Sequence, residues 1–330
     1  MNLLLAINAK IPVDYYGGTE RVIWHLGKEL TKMGHTVSYL AQEGSYCDFA
    51  KVIPYQKSKK IAEQIPLDTH LVHFNFTPES VEEIKVPYII TMHGNTNNLM
   101  PLNLNTVFVS RNHASRFGSV SYVYNGLDWN DYALPDFNMK RTSFHFLGKA
   151  AWRIKNVQGA IDIIRASPQE TLNVLGGTRF NFKMGLRFTF SKRIHFYGMV
   201  GGTNKTKLLN QSKGLLFPVR WHEPFGLAIL ESLYYGCPVF GTPYGSLPEF
   251  VPDELGFLSN KKSELVEAIQ NASRYSMKTC HEYALTKFNS NKMALDYLEK
   301  YQRVLDGEKL NETAPQLKEI QKEKFLDWME

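Results

Sequence analysis

Short apolar runs alternate with amphipathic stretches from the first residues onward. Asn2 to Asn8 is almost continuously apolar and reads as a buried strand. Pro12, Gly17 and Gly18 interrupt the pattern, after which Val22, Ile23, Leu26 and Leu30 recur at helical spacing over Thr19 to Met33. Gly34 ends that helix, and Thr36 to Ala41 is rich in β-branched and aromatic residues, which completes a strand-helix-strand unit. Further strands are predicted at Thr69 to Asn75, Pro87 to Met92, Thr106 to Ser110 and Ser121 to Tyr124, giving an open parallel sheet. The pattern lapses over Leu134 to Lys140 and then resumes. Ser143 to Leu147, Thr171 to Leu175, Arg193 to Tyr197, Gly214 to Phe217, Pro238 to Gly241 and Leu255 to Leu258 are the strands of a second series. The reading is α/β: two doubly wound domains, 1–136 and 137–287, followed by helices over Lys287 to Leu305 and Gln316 to Met329. Ligands of such sheets bind outside the carboxyl ends of the strands, so a cleft between the domains is expected.

With 330 residues, 43% of them hydrophobic, the chain can bury two cores. No apolar run approaches the roughly 18 residues that cross a bilayer. Met1 and Asn2 lead straight into the first strand without a basic leader, so no export is expected. The three cysteines are scattered, without C-x-x-C spacing, which fits a reducing cytoplasm and suggests neither disulfides nor zinc. Charge alters the picture more. From Phe137 to His222 there are 15 Lys and Arg against two acids, and from Thr171 to His222 there is no acid at all. An anionic ligand is one reading and a solvated basic face the other. No G-x-G-x-x-G opens a helix, no G-x-x-x-x-G-K-[ST] is present and no D-x-D pair exists, which argues against dehydrogenases, P-loop enzymes and metal-held diphosphates.

The stretch Arg220 to Val239 carries the most chemistry. Pro224 suits a first helical position and Gly236 the position past the last. Amides of Phe225, Gly226 and Leu227 at such a helix start would hold an anion, a diphosphate included. Glu223 and Glu231, on a common helix, would be separated by about 12 Å of rise and lie on roughly one side, within reach of the sugar and ribose ends of a nucleotide sugar. The alternative is a helix with a surface glutamate at each end. Elsewhere, Arg179-Phe-Asn-Phe-Lys183 and Arg187-Phe-Thr-Phe190 interleave cations with aromatics, as a nucleic-acid groove would; strands with one buried face give the same alternation and are preferred.

Glu223-Pro-Phe-Gly followed by Glu231 resembles the E-x7-E element of retaining glycosyltransferases of the GT-B fold, specifically glycosyltransferase family 4. Tyr16-Gly-Gly-Thr-Glu-Arg21, Thr91-Met-His-Gly94, Ser110-Arg-Asn-His-Ala114, Asn125-Gly-Leu-Asp128 and Thr242-Pro-Tyr-Gly-Ser-Leu-Pro-Glu249 are similar to other segments of that family, in the same order, over about residues 1 to 305. The resemblance implies two Rossmann-like domains facing a cleft, with the first reading the acceptor, the second holding the donor, and the helices from about 288 to 330 packed back on the first. It implies that Glu223 contacts the transferred sugar, Glu231 the ribose, and the amides of Phe225 to Leu227 the diphosphate. It gives His93 an approach to the reacting sugar, and Gly17 and Gly18 a loop close to the sugar and phosphates. The sequence departs from the family at the cations that grip the diphosphate. Gly148-Lys149 stands where Gly-Arg is usual and Lys155-Asn156 where Lys-Gly is usual, so Lys155 and Arg153 are ranked above Lys149. The implied reaction is metal-independent and retaining. It moves a sugar from a nucleoside-diphosphate sugar, a co-substrate rather than a cofactor, to a hydroxyl of a glycan, lipid-linked or small-molecule acceptor. Peripheral contact with the inner face of a membrane is left open, and no specific nucleic acid is expected. Epimerases and phosphorylases of the same fold are the alternatives.

Overall fold

The computed structural model describes residues 1–13, 17–182 and 186–330, so Tyr16 and Lys183 of the motifs above lie outside the described residues. In chain order its elements are β1 (Asn2–Ala6), α1 (Gly18–Lys32), β2 (Thr36–Ala41), β3 (Lys51–Pro54), β4 (Leu71–Phe74), β5 (Tyr88–Met92), β6 (Thr106–Phe108), α2 (Arg111–Arg116), β7 (Ser143–Leu147), α3 (Val157–Arg165), β8 (Leu172–Leu175), β9 (Phe180–Asn181), β10 (Arg187–Phe188), β11 (Ile194–Phe196), α4 (Gly202–Asn210), β12 (Ser212–Phe217), α5 (Leu227–Tyr234), β13 (Val239–Gly241), α6 (Leu247–Phe250), β14 (Gly256–Leu258), α7 (Lys262–Gln270), α8 (Met277–Lys287) and α9 (Ser290–Leu305), with short 3-10 turns between. No helix among the described residues is long and apolar enough to cross a membrane.

The chain forms two compact units, Met1–Trp129 with Phe288–Gln321 and Asn130–Lys287 with Lys322–Glu330. The first unit is built on a parallel sheet of order β3-β2-β1-β4-β5-β6. Leu3 to Ala6 of β1 are buried on both sides, as a central parallel strand must be when helices cover both faces. Tyr297 and Tyr301 of α9 are buried there too. The second unit repeats the order as β11-β8-β7-β12-β13-β14. Its crossovers β7-α3-β8 and β12-α5-β13 run in opposite directions along the sheet, so right-handed connection puts α3 and α5 on opposite faces. α3 and α7 share one core with Phe144, Phe146, Val174 and Leu216.

Several boundaries differ from expectation. The first passage between units is at Trp129 and Asn130, ahead of Leu134 to Lys140. Leu127 is tied by backbone hydrogen bonds to Phe288 and Ser290, whereas the Asp136 amide donates to Asn210 of the second unit. Ser121 to Tyr124 is not a strand and meets β6 only through a bridge at Tyr122, while Lys51–Pro54, which the pattern did not mark, forms the sheet edge. No helix forms over Gln316 to Met329. Residues 322–330 return to the second unit instead of packing on the first, with the Leu326 amide on Arg220 O at 2.9 Å and the Met329 amide on Asn260 O at 2.8 Å.

Candidate functional site

Glu223 is placed by two backbone devices. Gly226 adopts φ +88, a left-handed conformation open to glycine, and so delays α5 to Leu227. Pro224 is therefore in the loop rather than at the first helical position, and Glu223 and Glu231 do not share a helix. The 12 Å rise does not apply to them. Gly245 (φ +65) passes so close that a Cβ would stand 2.2 Å from Glu223 N and 2.3 Å from its O. The Ser246 amide donates to Glu223 O at 2.9 Å and its hydroxyl to Phe225 O at 2.7 Å, which clamps the loop.

The Glu223 carboxylate is buried. Its Oε2 accepts from Lys155 Nζ at 2.5 Å and from Trp221 Nε1 at 2.8 Å. The Lys155 ammonium also lies 4.9 Å from the Trp221 ring and 5.3 Å from that of Phe217, both electron-rich faces that favour a cation. Asn156 stands where the resemblance has glycine, takes the left-handed φ of 53, caps α3 through Gly159 N and donates to Pro218 O. One residue thus turns the chain and ties the lysine loop to the end of β12.

Glu231, on α5, is buried as well. Its Oε1 accepts from Lys205 Nζ of α4 at 2.5 Å and from the Tyr132 hydroxyl at 3.3 Å. α5 closes with the Gly236 amide on Leu233 O and the Cys237 amide on Ser232 O, and Arg141 donates to Tyr235 O at 2.7 Å, a cation at the negative helix end. At the other end, amides of Gly226 to Ala228 precede the first intrahelical bond, made by Ile229 N. Phe225 anchors that end by packing on Phe250 at 4.8 Å. Among the described residues, Lys155 is the one of the three ranked cations bonded to a motif carboxylate. Lys149 is half-buried over Trp152 at 5.1 Å, and Arg153 is exposed with its guanidinium 4.8 Å from the Phe325 ring.

The first unit holds the remaining predicted residues. His93 follows β5, and its Nε2 is 2.9 Å from Asn75 Oδ1. Asn75 turns its NH2 to the carbonyls of Ala6 and His73, so its oxygen accepts, Nε2 carries the proton and Nδ1 presents a lone pair. Burial holds the His93 pKa down to about 4, and the ring is neutral near pH 7. A Cβ at Gly94 would meet nothing within 4 Å, so the chain is open just past the imidazole. Gly17 is buried at the N-terminus of α1, where a Cβ would come within 2.8 Å of Val13 Cγ2, and Gly18 begins the helix. Trp221, Lys205, Tyr132 and Asn75 were not singled out from sequence. Only Trp221 carried a signal, lying inside the motif; Lys205 and Tyr132 reach Glu231 in the second unit, and Asn75 reaches His93 in the first, through tertiary packing.

Residues 141–274, all in the second unit, match the family model for glycosyl transferases group 1. No curated protein matches the chain. Among solved structures, it is similar to AviGT4, a glycosyltransferase involved in avilamycin A biosynthesis, at 19% identity and a TM-score of 0.74, covering 93% of this chain and 98% of that one. Sucrose-phosphate synthase from Thermosynechococcus elongatus follows at 16% identity and a TM-score of 0.72, covering 93% and 99%. Anabaena Alr3699/HepE in complex with UDP-glucose is similar at 16% identity and a TM-score of 0.63, covering 92% and 99%. The fold is GT-B. In this GT-B chain, the two buried carboxylates and their lysines belong to the unit that the family model matches.

Proposed function

We propose that the chain is a glycosyltransferase that moves a sugar from a nucleoside-diphosphate sugar to an acceptor hydroxyl with retained configuration and without a metal. The reading rests on one observation: two buried glutamates, each paired with a lysine from another segment, stand on either side of the N-terminus of α5. In this reading Glu231 accepts from the ribose hydroxyls and Glu223 from the sugar. The α5 amides and the Lys155 ammonium, which has three N–H bonds and gives one to Glu223, hold the diphosphate, with Lys149 as an additional charge. Developing negative charge on the leaving phosphate is then met by fixed donors in a partly dry site. His93, neutral and with a lone pair on Nδ1, accepts a hydrogen bond from a sugar hydroxyl rather than supplying a proton. Attack is from the front face, with the departing phosphate taking the acceptor proton.

Thermal melting against uridine, guanosine, adenosine and thymidine diphosphates and their sugars, in a metal chelator, tests the donor half. The UDP-glucose complex of the Anabaena neighbour puts uridine first. A ligand at a hundredfold excess over its Kd adds about 2.7 kcal/mol. A shift with one base, lost in Glu231→Ala, is expected; no shift with any nucleotide overturns the reading. Conversion of the nucleotide sugar without an acceptor would make the chain an epimerase, and a requirement for inorganic phosphate would make it a phosphorylase.

A further inference from the structure

The hairpin of β9 and β10 departs from the expectation of strands with one buried face. Phe188 pairs with Phe180 and Arg187 with Asn181, so alternation puts Phe180, Phe182, Leu186, Phe188 and Phe190 on one side. All five are exposed, Phe182, Leu186 and Phe190 by more than 70%. Phe180 meets Phe188 and Phe190, and Phe182 meets Phe188, at ring separations of 5.6 to 6.0 Å, which makes the rings one continuous patch. The other side is locked to the unit. Arg179 donates to the carbonyls of Thr189, Ser191 and Ile194, and Arg187 donates to Thr178 O with its guanidinium 4.8 Å from the Phe196 ring. A contiguous exposed apolar patch of this kind marks an interaction surface.

Charge selects the partner. The hairpin lies in the stretch from Thr171 to His222 that has no acid. Beside it is a pocket of about 600 Å³ whose lining includes Leu186 and Phe188 and the arginines Arg153, Arg165 and Arg220, with Arg187 of the locked side at its edge. Asp162 and Glu330 also line it, but Asp162 accepts from Gln158 and Arg165, and Glu330 pairs with Lys262. Arg153 and Arg220 share one ring, 4.8 and 5.3 Å from Phe325, so two like charges are held close on one wall. The pocket lies along α3, and Glu231 lies on α5, across the sheet.

We propose that the phenylalanine side of this hairpin, with the arginine pocket next to it, docks the second unit on an anionic lipid bilayer. The rings enter beneath the headgroups while the guanidinium groups meet headgroup phosphates. A single-stranded nucleic acid fits less well, because the rings engage one another at 47 to 79° instead of offering parallel platforms. The proposal rests on this surface alone and holds whether or not the chain transfers sugar.

The test is flotation of the full chain with vesicles of phosphatidylcholine alone or mixed with phosphatidylglycerol. Binding is expected with the anionic vesicles, weakening with salt. Phe182→Ser with Phe190→Ser lowers the apparent affinity by about tenfold or more, as the burial of phenylalanine requires. Phe182→Trp raises it, and Arg165→Gln lowers it by roughly threefold. These side chains are exposed, so the melting temperature and any nucleotide-induced shift stay where they were. Equal binding by the double serine variant and the wild type, or indifference to phosphatidylglycerol, overturns the proposal. So does binding of polyuridylate, or dimerisation through this patch, by a chain that leaves vesicles alone.

Discussion

The two units share a strand order and differ in what they bury. In the first, the sheet core holds a chain of neutral groups, His73 Nδ1 on the Tyr301 hydroxyl at 2.8 Å, its Nε2 on Thr91 at 2.7 Å and Thr91 on Tyr297 at 3.0 Å, and the buried carboxylate of Asp128 pairs with Lys28 and Lys32, whose side chains still reach solvent. In the second, charges are buried in pairs, Lys155 with Glu223 and Lys205 with Glu231. A neutral network can be satisfied within a sheet core at little electrostatic cost, whereas a buried ion pair often stabilises no better than packed hydrocarbon would. A fold that carries two such pairs around one helix end gains something other than stability, and ligation of a polar, charged substrate is the reading that accounts for it.

The largest test of this contrast removes one partner of a pair. Glu223→Ala leaves the Lys155 ammonium buried without its carboxylate, which should cost about 3 to 5 kcal/mol by urea denaturation. Lys155→Met combined with Glu223→Leu should recover most of that loss while donor binding stays abolished. A single variant within about 1 kcal/mol of wild type would mean that the pair is no more than a surface contact.

Acid should act on the first unit more than on the second. Burial holds His73 at about 3, His93 at about 4 and His113 at about 3, against a single comparable case, His145 at about 3, among the described residues of the second unit. The unfolded chain takes up protons on these rings near pH 6.5 and the folded chain does not, so stability falls as pH drops from about 6.5 toward 4, by at most about 1.4 kcal/mol per pH unit for each ring. Hydrogen exchange at pH 7 and pH 5 should show the amides of β4 and β5 losing more protection than those of β7 and β12. Equal loss in both sheets would remove the distinction.

Gly245→Ala comes next, at about 2 kcal/mol or more, because left-handed φ and a clash with the Glu223 backbone act together. Nucleotide affinity should fall with it, while a substitution at Gly94, where a Cβ meets nothing within 4 Å, should leave stability nearly unchanged.

How far the sequence reached follows the same physics. Inner strands were legible through runs of β-branched, aromatic and aliphatic residues bounded by turn signals; Thr36–Ala41 and Ser143–Leu147 match to the residue. The edge strand Lys51–Pro54 was not, since its buried and exposed positions follow no clean period. Phe325, Leu326 and Trp328 suggest a helix by composition, yet their segment forms none and is tied by Leu326 and Met329 to partners more than fifty residues away. At the site, Glu223, Glu231 and Lys155 stood out through local motif spacing. Where α5 begins was missed because Gly226 spends its conformational freedom on a turn ahead of the helix. Lys205 and Asn75 act through contacts that only the folded sheet creates.

The smallest effect expected is that of Tyr132→Phe. Its hydroxyl reaches Glu231 at 3.3 Å, longer than the 2.5 Å bond from Lys205, and its ring packs on Tyr234 at 5.8 Å whether or not the hydroxyl is present. The substitution therefore keeps the packing and the ion pair and removes one long hydrogen bond, which is worth about 1 kcal/mol at most. Nucleotide affinity should change by less than about fivefold, and stability should follow the same modest scale. Lys205→Met, by contrast, removes the ammonium paired with the buried Glu231 carboxylate and should cost several times more. If the two variants proved equal in calorimetric titration with the nucleotide, the Lys205 charge would not be what holds Glu231, and the contrast between a first unit whose paired lysines reach solvent and a second whose paired lysines are largely buried would lose one of its two pairs.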